Sequence, residues 1–159
     1  MDAHKGFMER AISLACQGVA GGHGGPFGAV IVRDGQVIGE GHNCVLSATD
    51  PTAHAEVTAI RAAARHAQTF DLSGTTLYTN AFPCPMCMSA ILWARIDKVY
   101  YACTPEDAEA IGFDDQEFYR QLAKPEAERA TPVIQLPAYL PSARAAFQSW
   151  LEREDRTPY

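Results

Sequence analysis

Two cysteines three residues apart are the most reactive pair in the sequence. Cys84 and Cys87 lie in the run Pro83-Cys84-Pro85-Met86-Cys87, where a predicted strand over 75–79 gives way to a predicted helix. The unpaired N–H groups and partial positive charge of a helix N-terminus lower the pKa of a nearby thiol. On its own, the pair is compatible with a metal site, a thiol–disulfide catalyst, or two small apolar core residues.

A second polar group precedes an alanine-rich run over 57–67 that has strong helix propensity. His54 and Glu56 are two residues apart, so they can share a site only beyond the end of that helix. One metal facing two helix N-termini would have three protein ligands, His54, Cys84 and Cys87. That set leaves the open fourth position that a catalytic zinc needs, with Glu56 free beside the metal-bound water.

The combined pattern, His-x-Glu followed by Pro-Cys-x-x-Cys, is typical of the zinc-dependent nucleobase deaminases. Zinc brings the pKa of a water molecule toward ~7. Glu56 would pass the water proton first to a ring nitrogen and then to the leaving amine. The backbone N–H of Cys84 is the candidate to stabilise the oxyanion that forms before ammonia leaves.

The composition favours an enzyme of small molecules. The 159 residues fit a single domain over 1–159, and no apolar run approaches the ~18–20 residues of a membrane span. Five cysteines are an odd number, and the N-terminus lacks a signal-peptide pattern, so we expect a cytoplasmic protein without a disulfide framework. The net charge of −6 and the lack of a basic stretch argue against nucleic-acid partners.

The order of predicted elements favours an α/β fold with helices on both faces of a mixed sheet. The predicted strands are 27–32 and 37–41, joined at Asp34-Gly35 as a hairpin, then 75–79, 99–103 and 132–136. The predicted helices are 5–20, one from His54 to 67, one from Cys84, one from Thr104, 116–123 and 141–155. Five strands in a three-layer α/β/α arrangement would bring the helix N-termini together at the strand ends, where ligands bind.

Five segments carry a family resemblance: 24–30, 50–61, 83–87, 93–95 and 112–115. Together they resemble bacterial guanine deaminases of the cytidine deaminase fold, over nearly the whole chain. The resemblance implies hydrolysis of guanine to xanthine and ammonia, in purine catabolism. It also implies one zinc ion per subunit, held by His54, Cys84 and Cys87, with Glu56 as the proton shuttle.

The resemblance also implies the residues that bind the purine. Asn43 would hydrogen-bond the ring, Phe27 and Trp93 would wall it, and Asp115 would contact a ring N–H. Tyr159 would come from the partner subunit of a homodimer that exchanges its C-terminal segments, about 141–159. Each has a structural alternative: a turn or helix cap for Asn43 and Asp115, core packing for the aromatic pair, a frayed terminus for Tyr159.

One departure from the family leaves the substrate open. The family usually has Glu directly before Pro-Cys, whereas Phe82 stands there in this chain. A changed pocket rim admits another aminopurine, a pterin, a triazine or a nucleoside as substrate. Adenosine in tRNA shares the motif but would require a basic surface. The rival from another class is a dithiol redox protein that uses Cys84 and Cys87, and a non-catalytic zinc module would need a fourth protein ligand.

Overall fold

A computed structural model of the chain describes residues 4–159, which divide into two compact units, one ending at Tyr119 and one from Arg120 to Tyr159. The elements in order are α1 (Lys5–Ala20), β1 (Gly28–Arg33), β2 (Gln36–His42), α2 (Val45–Ala48), α3 (Ala55–Ala67), β3 (Thr76–Ala81), α4 (Pro85–Trp93), β4 (Lys98–Cys103), α5 (Pro105–Ala110), α6 (Asp115–Ala123), two 3-10 turns (Glu126–Glu128 and Pro137–Tyr139) and α7 (Leu140–Glu152). The single-domain boundary, 1–159, stays a prediction.

The sheet of the first unit has the strand order β2-β1-β3-β4. β1 runs antiparallel to β2 and β3, and β3 runs parallel to β4, so the sheet is mixed as predicted. The predicted number of five strands is wrong for residues 4–159, since 132–136 forms no strand there. A segment rich in β-branched residues becomes a strand only where a sheet edge pairs with its backbone, and this segment has no such ladder within the described chain.

Alternate side chains of β1 pack on opposite faces of the sheet, which confirms the three layers. Ala29 and Ile31 belong to a buried cluster with residues of α3 and α4, including Ala59 and Ile91. Val30 and Val32 belong to a second cluster that includes Leu14 of α1. A strand covered on both faces reads as a continuous apolar run, and this one is buried from Gly28 to Val32.

The hairpin between β1 and β2 is also confirmed. Asp34 and Gly35 both have positive φ, 49° and 74°, which is the conformation of a tight two-residue hairpin turn. Aspartate and glycine tolerate this conformation better than most residues, so their order in the sequence predicts the turn directly.

Helix α3 lies unusually close to β2 because the contact is made by small residues. A Cβ atom added at the buried Gly39 would lie 2.5 Å from the backbone nitrogen of Ala63 and 2.6 Å from the carbonyl oxygen of Ala59. Only glycine permits this approach. The contact fixes the position of α3 on the sheet, and therefore the position of the helix start that carries His54.

The second unit consists of the end of α6, the two 3-10 turns and α7. Large apolar side chains of α7 are exposed in the single chain: Phe147 by 72% and Leu151 by 58%. Val133, Ile134 and Leu136, before the second turn, are likewise exposed. An apolar surface of this extent is characteristic of an interaction site. None of the helices within 4–159 is long and apolar enough to cross a membrane, and the cytoplasmic location stays a prediction.

Candidate active site

Two helix starts meet in the first unit. His54 is the N-cap residue of α3 and Cys84 is the N-cap residue of α4, both with extended backbone. Pro85 occupies the first position of α4, where its missing N–H costs nothing and its fixed φ favours the helix start. The positive ends of both helices therefore face the same group of side chains, which favours anionic sulfur.

The three predicted metal ligands are in contact with one another. The Nδ1 atom of His54 lies 3.6 Å from Sγ of Cys84 and 3.5 Å from Sγ of Cys87. Among residues 4–159, this is the only set of three or more His, Cys, Asp or Glu side chains that could hold a metal ion. An imidazole with two thiols is a donor set that suits zinc, and three ligands leave one position open.

The protonation of the two thiols fits a bound cation. The hydrogen bond from Cys87 lowers the pKa of Cys84 to about 4, and the same bond raises the pKa of Cys87. The sulfurs thus share one proton, because two buried thiolates this close repel each other. The hydrogen bond with Cys84 also raises the pKa of His54. A divalent ion would remove the repulsion and allow both thiols to ionise.

Glu56 lies beside this group in the first turn of α3, and only 6% of the residue is exposed. Its Oε2 atom accepts a hydrogen bond from the Cys87 thiol over 3.3 Å. Burial raises the pKa of Glu56 above its usual range, which suits a carboxyl group that must both accept and return a proton. The structure therefore places the predicted proton carrier within reach of the predicted ligands.

A cavity of about 270 Å³ opens onto this group within the first unit. His54, Glu56 and Cys84 line its inner end, whereas the fully buried Cys87 does not line it. The remaining lining residues are Gly24, Gly25, Phe27, Asn43, Val45, Leu46, Pro51, Phe82, Phe113 and Asp115. A mostly apolar cavity with a few convergent polar groups is typical of a small-molecule site.

One wall of the cavity contains the predicted residues Asn43 and Phe27. The buried Asn43 uses its Oδ1 atom to accept a hydrogen bond from the Val45 backbone N–H, so its Nδ2 group is the part available to a ligand. Its backbone N–H donates to the carbonyl oxygen of Phe27. A Cβ atom added at Gly24 would lie 2.1 Å from Oδ1 of Asn43, so a side chain there would displace this amide.

The predicted residue Asp115 lines the opposite part of the cavity at the start of α6. Burial raises the pKa of its carboxyl group, and the negative charge of Cys84 adds to the effect. Tyr119 lies one turn further along α6 and donates its hydroxyl proton to the carbonyl oxygen of Pro83 over 2.9 Å. Burial raises the pKa of Tyr119 to about 12, so the phenol remains a donor.

Two of the predicted substrate-binding residues lie outside the cavity. Trp93, at the end of α4, is 63% exposed and lines a different surface groove with Ser89, Leu92 and Arg95. Trp93 does not line the cavity of its own chain, because the start of α4 and not its end faces that cavity, and its role at the base stays a prediction. Tyr159 belongs to the second unit and is exposed.

Sequence reasoning missed the roles of Phe113 and Tyr119, whereas it anticipated a place for Phe82 at the rim of the pocket. Phe113 lines the cavity and meets Phe27 edge to face, with ring centroids 5.0 Å apart. Phe82 lines it next to Cys84 and meets Tyr101 in the same edge-to-face way at 5.1 Å. The spacing of Tyr119 four residues after Asp115 was an available signal, because such residues share one face of a helix.

The family model for the cytidine and deoxycytidylate deaminase zinc-binding region matches residues 1–103. The chain therefore belongs to this family of zinc-dependent deaminases.

Within that family, the chain is 47% identical to the guanine deaminase of Bacillus subtilis (strain 168), over 98% of this chain and 99% of the relative. The X-ray structure of guanine deaminase from Bacillus subtilis matches with a TM-score of 0.93, over 98% of both chains. A structure in complex with 2,6-diaminopurine is 34% identical, with a TM-score of 0.69, over 72% of this chain and 64% of that chain. The tRNA-specific adenosine deaminase of Haemophilus influenzae is 40% identical, over 72% of this chain and 69% of the relative. The similarity to the guanine deaminase of Bacillus subtilis therefore extends over nearly the whole chain, whereas that to the tRNA-specific adenosine deaminase covers 72% of it.

Proposed function

We propose that this protein hydrolyses guanine to xanthine and ammonia. The observation that carries the proposal is the contact between His54, Cys84 and Cys87 beside the buried Glu56, at a mostly apolar cavity. The full-length similarity to a guanine deaminase supports guanine as the substrate. Stacking between aromatic side chains suits a planar base.

Glu56 carries the proton in the proposed reaction. His54, Cys84 and Cys87 would hold a zinc ion, which would act as a Lewis acid and lower the pKa of a bound water molecule. The Glu56 carboxylate takes up one proton from water and delivers it to a ring nitrogen. It then takes up the proton of the added hydroxyl group and delivers it to the amine, which departs as ammonia while the C–N bond breaks and a carbonyl forms. The backbone N–H of Cys84, at the N-terminus of α4, is placed to stabilise negative charge on the oxygen that is added.

The cavity walls would orient the base. The Nδ2 group of Asn43 donates to a ring or carbonyl acceptor, and the Asp115 carboxylate accepts from a ring N–H. Phe27 presents an apolar surface to the ring, held in place by its edge-to-face contact with Phe113. One donor and one acceptor on separate walls recognise a base that has both groups on its edges, as guanine has.

We also propose that two copies form a homodimer that exchanges the C-terminal segments, about 141–159. The exposed apolar surface of α7 and of residues 133–136 supports this proposal, since it would be buried against a second copy. β4 is one of the two edge strands of the sheet and most of its residues are exposed, so it offers a further surface that a partner could cover. Tyr159 would then reach the base bound in the partner subunit.

Size-exclusion chromatography with light scattering tests the dimer. We expect twice the mass of 17.3 kDa for the full chain. A chain ending at Tyr139 should lose the dimer and retain zinc, because the metal group lies within the first unit. A full-length monomer at micromolar concentration would refute the exchange.

The presence of Phe82 supports a second candidate substrate, another small aminated heterocycle. An apolar ring lines the cavity directly beside Cys84, where the family usually has a carboxylate. A pterin or a triazine would tolerate an apolar wall at this place. The hypothesis of a dithiol redox protein is weaker, because both sulfur atoms contact an imidazole and the chain belongs to a zinc-binding family. Thiol titration separates the two: zinc thiolates react only after a chelator removes the metal.

Ammonia release across a panel of bases tests the substrate. The panel contains guanine, guanosine, cytosine, cytidine, adenine and ammeline, each with the zinc-loaded protein. We expect guanine to have the highest kcat/KM by at least about 10²-fold, since unmatched donors and acceptors leave buried groups unpaired. Preference for ammeline or for a nucleoside would overturn guanine while leaving the zinc chemistry intact.

A further inference from the structure

The side chain of Asn80 bridges the two backbone positions on either side of Phe27, which lines the cavity. Its Oδ1 atom accepts a hydrogen bond from the backbone N–H of Gly28 over 2.8 Å. Its Nδ2 group donates to the carbonyl oxygen of Pro26, also over 2.8 Å. One carboxamide thus holds both ends of the turn around Phe27 through a donor and an acceptor at the same time.

The bridge lies where backbone pairing stops. The ladder between β1 and β3 ends with the pair Ala29 and Thr79, so Gly28 has a partner in β2 but none in β3. The Asn80 side chain supplies the missing hydrogen bonds for Gly28 and Pro26. Buried backbone groups need such partners, and a side-chain amide is one of the few that can serve a donor and an acceptor together.

The segment that Asn80 holds carries the substrate wall. The Phe27 backbone N–H donates to the carbonyl oxygen of Gly25, and the Phe27 carbonyl oxygen accepts from the N–H of Asn43. Phe27, Gly25 and Asn43 all line the cavity. A shift of the segment would therefore move Phe27 and Asn43 together.

The other side of the bridge is the metal end. Asn80 is the penultimate residue of β3, two positions before Phe82 and four before Cys84. Downstream of it, the chain is anchored separately: the Phe82 N–H donates to the Cys103 carbonyl oxygen, and Tyr119 donates to Pro83. Cys84 is thus positioned without the help of the Asn80 side chain.

We propose that Asn80 is a positioning residue for substrate binding, which sets the distance between the wall that carries Phe27 and Asn43 and the metal end of the cavity. The proposal rests on the proposed function of this cavity. It assigns Asn80 to the binding of the base and not to the chemical step. Loss of the bridge should therefore change KM and leave kcat, because it weakens ground-state and transition-state binding equally.

Steady-state kinetics of Asn80→Ala and Asn80→Asp test the proposal in the zinc-loaded protein. The first variant removes both hydrogen bonds, and the second keeps the acceptor for Gly28 but sets a carboxylate against the carbonyl oxygen of Pro26. We expect KM for guanine to rise about tenfold or more in Asn80→Ala, the effect of losing two neutral hydrogen bonds. KM should also rise in Asn80→Asp, which loses one bond and brings two acceptors together. Zinc content and kcat should stay near those of the wild type.

Gln68→Ala is the matched control, because it also removes a hydrogen bond from a carboxamide to the backbone. Gln68 donates to the carbonyl oxygen of Arg65 at the C-terminal end of α3, at the opposite end from His54. This variant should lower Tm without raising KM. It thereby separates a loss of stability from a loss of positioning.

The proposal is overturned if KM changes by less than about twofold in folded Asn80 variants, or if kcat falls while KM stays. If Asn80→Ala does not fold, Asn80→Ser is judged by the same criterion. Equilibrium dialysis of guanine against Glu56→Gln, with and without Asn80→Asp, measures binding without turnover. If the wild-type protein hydrolyses no guanine, the proposed substrate is refuted. The ratio of the KM values of the Asn80 variants and the wild type, measured on the base that the wild type does hydrolyse, then still tests the role of Asn80.

Discussion

Gly39→Ala is the substitution that tests most sharply how the fold positions the site. The added Cβ atom would lie 2.5 Å from the backbone nitrogen of Ala63 and 2.6 Å from the carbonyl oxygen of Ala59. Ordinary contacts between heavy atoms are about 3.5–4.0 Å, so α3 must move away from β2 by roughly 1 Å. Both residues of α3 are fully buried, so the helix cannot move without disturbing its other contacts.

The expected cost follows from overpacking of a rigid contact. Inserting a methyl group into a well-packed core destabilises the folded protein by about 1–3 kcal/mol. The better strand propensity of alanine offsets at most about 1 kcal/mol of this loss. A loss of about 2 kcal/mol corresponds to a Tm lower by roughly 4–8 °C for a chain of this size. Because α3 begins at His54, the variant should also release zinc to a chelator faster than the wild type.

Urea unfolding followed by circular dichroism measures the stability, and a chromogenic chelator measures zinc release. Gly6→Ala is the control: Gly6 lies in α1 with no atom within 4 Å of the added Cβ. It should leave the free energy of unfolding unchanged or raise it by up to about 1 kcal/mol. A Gly39→Ala protein as stable as the wild type, with unchanged zinc release, would refute the close packing of α3 on β2.

Two further predictions concern the cavity and the surface. Phe82→Ala removes an aromatic wall beside Cys84. We expect KM for guanine to rise about 2–10-fold because one aromatic contact is lost, with zinc content unchanged. Unchanged relative kcat/KM values across the panel of bases would show that this ring does not contribute to specificity. The Arg10 guanidinium hydrogen-bonds Glu40, with Nε and Oε2 2.9 Å apart, and lowers the pKa of that carboxyl group. A carboxyl group whose pKa is lower in the folded than in the unfolded protein stabilises the fold at pH values above the unfolded-state pKa. This stabilisation disappears as the pH falls through the folded-state pKa. Both side chains are more than one third exposed, so Glu40→Gln should lower the free energy of unfolding in urea by at most about 1 kcal/mol at pH 7, and not at all at pH 3. An equal loss of stability at both pH values would exclude the ion pair as the cause.

The metal group could be predicted from the sequence because its determinants are local. Each ligand lies at a helix start that has its own signal, Pro85 after Cys84 and the alanine-rich run after His54. Once both helices begin where expected, two cysteines three residues apart face the same point as the imidazole. Helix α1 and the hairpin at Asp34-Gly35 follow from local signals in the same way.

The remainder of the site depends on tertiary arrangement, which the pattern of residues does not encode. Trp93 and Cys84 belong to the same short helix, but only one end of α4 faces the cavity. Phe113 joins the wall through its edge contact with Phe27, which comes from a distant segment. The segment 132–136 has the composition of a strand, but pairing requires an edge, and the sequence does not say which chain would provide it.

Comparison of Glu56→Gln with the wild type tests the central claim most directly. Glutamine keeps the size of the side chain and can still contact Cys87, but it cannot carry a proton. We expect one zinc ion per chain by mass spectrometry of the metal in both proteins, and ammonia release from guanine slower by about 10²–10⁴-fold in the variant. Turnover near that of the wild type in a zinc-loaded Glu56→Gln protein would contradict the account.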